Sequence, residues 1–230
     1  MISLSEHNRK VAISRWKKVF EKQTAKIIET SKKYPYLKAR VIGYLMGDGS
    51  VTLRHQKEGS NHHTICFYPD DEQMLKSFLY AFKKIYSLVP KIQKVPGHFR
   101  VRVGSKAAMI DLLKLGSFRS MEWRIPTQLL TSQDVKREWL RAFYDSEAYV
   151  GPQTITVQSV NENGLRQVQE LLREFEIESR LYSYERKEKR WNTNYLLHIA
   201  KKADRIRFLK HIGFNHSAKH RKLEAFASVA

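Results

Sequence analysis

Apolar and polar positions alternate along this chain with two periods, and the pattern occurs twice. The segment Val103 to Phe118, VGSKAAMIDLLKLGSF, runs parallel to Ile199 to Phe214, IAKKADRIRFLKHIGF. At a constant offset Lys106 falls on Lys202, Ala107 on Ala203, Ile110 on Ile206, Leu113 on Leu209 and Phe118 on Phe214. Each copy follows a strand-like alternation, HFRVRV at 98–103 and YLLHI at 195–199. Period two marks a strand and period 3.6 a helix, so the repeated unit is a strand running into an amphipathic helix.

Extending outward from these anchors gives each half the order helix, two strands, helix, two strands, helix. The first half places elements at 36–47, 50–55, 62–68, 71–87, 91–95, 98–103 and 105–115. The second places them at 134–147, 153–159, 161–175, 178–186, 191–199 and 202–212, with its first strand pair the least distinct. The turn-forming stretches EGSNHH, VPGH and RKEKRWN separate paired strands. The pattern predicts an α+β fold: a basic N-terminal helical extension at 1–36, a first repeat at 37–131 and a second at 132–230, with a break at Pro126. In the extension, Val11, Ile13, Trp16, Val19 and Phe20 form a rough apolar stripe, which predicts that it packs on the body.

Charge changes the picture next. Forty-two Lys and Arg against 23 Asp and Glu leave a formal net charge of +19, with a pI near 10.0. That excess points to a polyanionic partner. The basic residues are spread along the chain, not gathered on one amphipathic helix, which favours nucleic acid over a membrane surface. No apolar run approaches the ~20 residues that span a bilayer, and the N-terminus MISLSEHNRK has no continuous apolar core. With the single cysteine Cys66, this predicts an intracellular protein that is not secreted. Nine histidines with one cysteine give no zinc-site spacing. Neither VGSKAA nor GDGS matches a phosphate-binding loop.

The helices that open the two halves carry the candidate chemistry. Aligning VIGYLMGDG (41–49) with LRAFYDSEA (140–148) puts Gly43 on Ala142, Gly47 on Ser146 and Asp48 on Glu147. Small residues at i and i+4 share one helix face, so two such stripes allow close backbone approach. The acid after each stripe then lies at the foot of the seam, against the negative end of its own helix dipole and near a second carboxylate. That arrangement destabilises the protein unless a hard divalent cation is shared there.

The paired stretches resemble the LAGLIDADG motifs of homing endonucleases, and the repeat order resembles that family's duplicated αββαββα unit over about residues 37 to 230. The resemblance implies a pseudo-two-fold monomer whose two antiparallel sheets form a DNA-binding saddle. It implies cleavage of both strands of a long double-stranded DNA target site, leaving short 3′ overhangs. Asp48 and Glu147 would bind Mg²⁺, for which Mn²⁺ or Ca²⁺ substitutes in binding, with the backbone carbonyls of Gly47 and Ser146. A basic residue near each site would assist. Lys106 and Lys202 are the repeated candidates, and Arg102 with His198 the alternative pair. Two other activities fit the same scaffold: an RNA maturase acting in intron splicing, and a DNA-binding regulator that does not cut.

The second motif departs from the family pattern. Arg141 replaces a small residue, Ala142 a glycine, and Ala148 the glycine expected to end the helix in a left-handed cap. Asp145 is two residues from Glu147 and is expected on another helix face.

Strand alternation predicts the surface that reads DNA. Arg100 and Arg102 share a face, as do Arg180, Tyr182, Tyr184 and Arg186, and Thr154, Thr156 and Gln158. Arginine suits guanine and glutamine suits adenine in a major groove. With Arg54, Gln56, Lys94, Arg190, Asn192 and His198 they complete the expected DNA-binding set.

Overall fold

The computed structural model describes residues 4–55, 61–185 and 192–228. Of the expected DNA-binding residues, Gln56, Arg186 and Arg190 lie outside the described residues.

The repeat predicted from the sequence is present. The first copy comprises α2 (Pro35–Asp48), β1 (Gly49–His55), β2 (Asn61–Phe67), α3 (Glu72–Tyr86), β3 (Lys91–Val95), β4 (His98–Val103) and α4 (Lys106–Leu113). The second comprises α5 (Gln133–Glu147), β5 (Ala148–Val150), β6 (Ile155–Ser159), α6 (Glu162–Arg173), β7 (Arg180–Tyr184), β8 (Asn194–Ile199) and α7 (Lys202–His211). Two antiparallel four-stranded sheets result, in the matching orders β1-β2-β4-β3 and β5-β6-β8-β7. Strand β5 is the element that alternation does not reveal, because three residues, AYV, are too few to display a period.

Local chemistry fixes the helix starts. Asp71 accepts from the backbone N–H groups of Gln73 and Met74 at α3, while Ser105, Ser132 and Asn161 cap α4, α5 and α6 in the same way. One face of each sheet is apolar. Ile65, Phe67, Val101 and Val103 turn inward in the first sheet, as do Ile155, Val157, Leu197 and Ile199 in the second. Between the sheets α2 packs along α5, and Tyr44, Trp139, Phe143 and Tyr144 are almost wholly buried.

A buried ionic cluster fastens the first repeat. Lys38 Nζ lies 2.7 Å from Asp111 Oδ2 and donates to Ser31 Oγ at 3.0 Å, and Tyr86 donates to the same carboxylate oxygen at 2.9 Å. This joins the C-terminal end of α1 (Leu4–Lys32) to α2, α3 and α4. The expectation that the extension packs on the body holds only for that end. From Phe20 onward α1 has a partly buried face, whereas Ile13 and Trp16 are 58% and 75% exposed. The reason is length: the 29-residue helix outruns the surface that α3 and α4 offer it.

After α7 the chain turns back as α8 (Ser217–Ser228). The start of α8 is held by the first repeat, with Ser217 N donating to Asp71 Oδ2 at 3.2 Å and His216 Nε2 3.4 Å from Asp70 Oδ1. Among the described residues no helix is long and apolar enough to cross a membrane.

Candidate active site

Side-chain volume decides how closely α2 and α5 approach. A Cβ added at Gly43 would lie 2.6 Å from Trp139 O and 2.9 Å from Ala142 Cβ. One at Gly47 would lie 2.4 Å from Ser146 Cβ and 3.3 Å from Glu147 Cγ. The seam therefore closes only because these positions carry no side chain, and the Glu147 side chain reaches across it to the end of α2.

The departures at Arg141 and Ala148 in the second motif are accommodated. Arg141 turns away from the seam, donating to Glu138 Oε1 at 3.0 Å and to Ile212 O at 2.6 Å. The left-handed cap expected at the motif ends is absent from both. Gly49 has φ −127° and ψ 177°, and Ala148 has φ −80° and ψ 136°. Each helix runs directly into the first strand of its sheet, which requires an extended residue, and alanine adopts that without strain.

Asp48 and Glu147 end the two helices as expected. Among the described residues neither carboxylate accepts a hydrogen bond or forms an ion pair within 4.0 Å. Burial pushes the Asp48 carboxyl up to about 6. Burial, and then the charge of Asp48, push Glu147 up to about 7. Two half-buried acids that are costly to ionise, Glu147 the more so for the charge of Asp48, with oxygens free to accept, form a donor set that fits a hard divalent cation. Among the described residues no group of three or more His, Cys, Asp or Glu is gathered for a metal, so water, carbonyl or phosphate oxygens would complete the shell. Beside Glu147 opens a cleft of about 290 Å³, lined by Gly47, Gly49, Ser120, Gln158 and Ser159 among others.

The basic residue beside the acids is Lys219, which the sequence reading missed. Its Nζ donates to the carbonyls of Asp145 and Ser146, the latter at 3.1 Å. The charges that act on Asp48 are those of Lys219, Asp70 and His216, and those that act on Glu147 are those of Asp48 and Lys219; Lys106 and Lys202 are not among them. Lys106 lies with its Nζ 4.8 Å from the centre of the Phe20 ring, drawn onto α1, and Lys202 is exposed at the start of α7. Lys219 was illegible because it stands on α8, which has no counterpart in the first repeat. The only signal was the spacing of His216 and Lys219 in the stretch GFNHSAKH. Asp145 is on another face, as expected, and fully buried there: it accepts from Tyr44 Oη and from the N–H groups of Asn215 and His216.

Comparison with known proteins agrees with this geometry. The LAGLIDADG-like domain model matches residues 134–213. The homing endonuclease I-DmoI, in a study of its mesophilic variants, superposes with a TM-score of 0.62 at 17% identity, covering 77% of this chain and 95% of that one. I-DmoI in complex with DNA and Ca gives 0.63 at 17% identity, covering 83% and 98%. This is the LAGLIDADG fold. Full-length WhiA from Thermatoga maritima shares it at lower similarity, with a TM-score of 0.53 and 13% identity over 88% of this chain and 65% of that one. A tRNA-splicing ligase RtcB from Methanopyrus kandleri is 27% identical over 225 residues, covering 84% of this chain. The chain spans only 22% of the length of that relative.

Register across the two LAGLIDADG sheets shows which strand residues share the open face. In the first, Ser50, Cys66, Arg102 and Lys91 form one row and Arg100 with Gln93 the next. In the second, Tyr149, Thr156, His198 and Arg180 form one row and Gln158, Leu196 and Tyr182 the next, with Tyr184 beyond. Thr154 Oγ1 lies 3.2 Å from Thr156 Oγ1 and 3.5 Å from His198 Nδ1. Lys94 is corrected: it pairs with Phe99 and sits over that ring, on the face of Val101 and not that of Arg100 and Arg102. Lys91 and Gln93 hold the positions it was expected to hold, and Tyr149, 65% exposed, was overlooked. The backbone of Arg54 is in β1, and Asn192 precedes β8. Arg102 and His198 occupy equivalent rows, each in line with the residue two beyond an acid.

Proposed function

We propose that this protein is a site-specific endonuclease that hydrolyses one phosphodiester in each strand of double-stranded DNA at a long target, leaving short 3′ overhangs. The observation that carries the reading is the pair Asp48 and Glu147: two carboxylates brought to one seam, half-buried, costly to ionise, and without a partner among the described residues. The fold is shared with WhiA, so it does not choose the activity by itself; the two acids are what favours cutting.

The two repeats, 37–131 and 132–230, would act as the halves of one saddle, and because both are in one chain the protein would act as a monomer. The open sheet faces would lie in the major groove on either side, bringing Arg100, Arg102, Gln93 and Lys91 to one half of the target and Arg180, Tyr182, Gln158 and Thr156 to the other. Asp48 and Glu147 would hold a divalent cation, Mg²⁺ or Mn²⁺, which supplies Lewis-acid chemistry at a phosphodiester when bound. Arg102 and His198, in the rows beside the acids, would contact the backbone being cut. Burial holds the His198 imidazole below its usual range, so it is neutral at pH 7 and able to accept a proton.

Selection of cut sites from a randomised duplex library in Mg²⁺ tests the reading. The expected result is cleavage at one long sequence, lost in EDTA and in the Asp48→Asn and Glu147→Gln variants. Cleavage that survives both acid substitutions overturns it.

A further inference from the structure

The first helix carries a basic face that the packing of the body does not use. Arg15, Lys18 and Lys22 stand at i, i+3 and i+7 on α1, which puts them on one side of the helix. All three are exposed, and among the described residues none has a carboxylate within 4.0 Å. The opposite side carries Ile13, Trp16 and Phe20, and of these only Phe20 reaches the body.

Two contacts fix the line of α1. At its C-terminal end Ser31 Oγ accepts from Lys38 Nζ at 3.0 Å, near the start of α2 and so at the end of that helix remote from Asp48. Eleven residues earlier the Phe20 ring lies under Lys106, which opens α4 just after β4. Strand β1 leaves Asp48, β2 returns toward it and β4 leads away again, as their antiparallel registers require. Followed from Ser31 to Phe20, α1 therefore climbs from the remote end of α2 to the level of the first sheet. From Asn8 to Val19 every residue is exposed, so the rest of the helix continues past the body on the side of the first repeat. Leu4 to Val19 spans about 24 Å.

We propose that α1 is a DNA-binding arm whose basic face holds the phosphate backbone flanking the half of the target seated on the first repeat. The inference rests on the proposed seating of duplex on the open sheet faces, not on cleavage. Charge selects the occupant: Leu4 to Val19 holds Arg9, Lys10, Arg15, Lys17 and Lys18 against one acid, Glu6. At ~3.4 Å per base pair an arm of this length covers roughly seven base pairs of flank. Phosphate contacts carry no sequence information, so the flank is held whatever its sequence, and on one side of the target only.

The test is competition binding of the full chain in EDTA to a duplex recovered from a random library by binding. That duplex carries a random-sequence flank longer than the arm on both sides, on either one, or on neither. The first-repeat half is identified by where Arg100→Ala relaxes the base preference. Removing the flank on that half should weaken wild type by about tenfold or more, and removing the other should change affinity by less than about twofold. The triple variant Arg15→Gln, Lys18→Gln, Lys22→Gln should bind flanked duplex as weakly as wild type binds the trimmed one. Its slope of log K against log salt should fall by about 2–3, while on trimmed duplex it should match wild type. Its melting temperature should not change, because the three side chains are exposed and glutamine suits a helix. Lys18→Arg with Lys22→Arg should bind as wild type. Equal losses on flanked and trimmed duplex, or no loss on either, overturn the proposal. So does a dimer in sedimentation that Trp16→Ala dissociates while wild type ignores the flanks, which would give α1 to a second copy of the chain. Failure of the nuclease reading is separable: flank-dependent binding without cleavage in Mg²⁺ would overturn that reading and leave the arm standing.

Discussion

Tyr44 donates its hydroxyl hydrogen to Asp145 Oδ2 at 3.0 Å, across the seam between the two motif helices. The other carboxylate oxygen, Oδ1, accepts from the backbone N–H groups of Asn215 and His216, so one buried side chain joins α2, α5 and the turn that launches α8. Burial raises the Asp145 carboxyl to about 6, against the lowering effect of those donors, which leaves it ionised at pH 8. Asp145→Ala should leave one hydroxyl and two N–H groups unsatisfied and cost about 3 kcal/mol of stability. Tyr44→Phe removes a single donor and should cost about 1 kcal/mol. Urea denaturation at pH 8 measures both. Equal losses would mean that the N–H groups of Asn215 and His216 find other partners.

The seam makes a second prediction, about space. A methyl group at Gly43 meets the Trp139 carbonyl, which is backbone and cannot swing aside, so Gly43→Ala should force α2 from α5 and cost about 1–3 kcal/mol. Gly47→Ala meets Ser146 Cβ at 2.4 Å, next to the acids, and should reduce cleavage more than stability because it moves both carboxylates. Gly104→Ala is the control: its nearest neighbour would be 3.8 Å away, at His63 O. Thermal melts and cleavage rates on the three variants check the order.

Much of this arrangement is legible in the sequence. Periods of two and 3.6 residues persist wherever an element has one apolar face, so the repeat, the strand pairs and the motif helices follow from pattern. The Asp48–Glu147 pairing also follows, because small residues at four-residue spacing are a local signal. What escapes is what only tertiary contact decides. Lys219 is an ordinary lysine on a short polar helix until the Asp145–Asn215 bond brings it to the foot of α5. Lys94 is misassigned because β3 alternates weakly, KIQKV, and only its register with β4 shows that Lys94 pairs with Phe99. The end of α5 is misjudged because the chain leaves it straight into β5, a strand too short to announce itself.

The raised carboxyls predict an unusual dependence of stability on pH. Burial holds Asp48 at about 6 and Glu147 at about 7 in the folded protein, whereas unfolded carboxylates titrate near ~4. Raised folded values mean that the folded state prefers these groups protonated. Their favourable contribution is complete below pH ~4 and is lost as pH rises through about 6 to 7. In EDTA the double variant Asp48→Asn, Glu147→Gln should therefore melt close to wild type at pH 4 and above it at pH 8, by roughly 2–4 °C. Saturating Mg²⁺ at pH 8 should reverse the order, because only wild type binds the ion. A gap that stays constant from pH 4 to 8 would show that the acids are not raised.

The register of the first sheet separates two neighbours that composition treats alike. Gln93 stands beside Arg100, and Lys91 beside Arg102, on the open face; Lys94 stands beside Phe99 on the opposite one. If the open face enters the major groove, Gln93→Ala and Arg100→Ala should each weaken binding to the selected target by about 1–3 kcal/mol and relax the base preference at one position. Arg100→Ala should also lower the slope of log K against log salt if its guanidinium meets phosphate instead of a base. Lys94→Ala should change affinity by less than about twofold and leave base preference intact, since its charge is directed away from the groove. Competition binding at two salt concentrations distinguishes these outcomes. A Lys94→Ala loss as large as that of Gln93→Ala would place DNA on the other side of the sheet. It would also remove the reason for assigning Arg100, Arg102, Gln93 and Lys91 to target recognition.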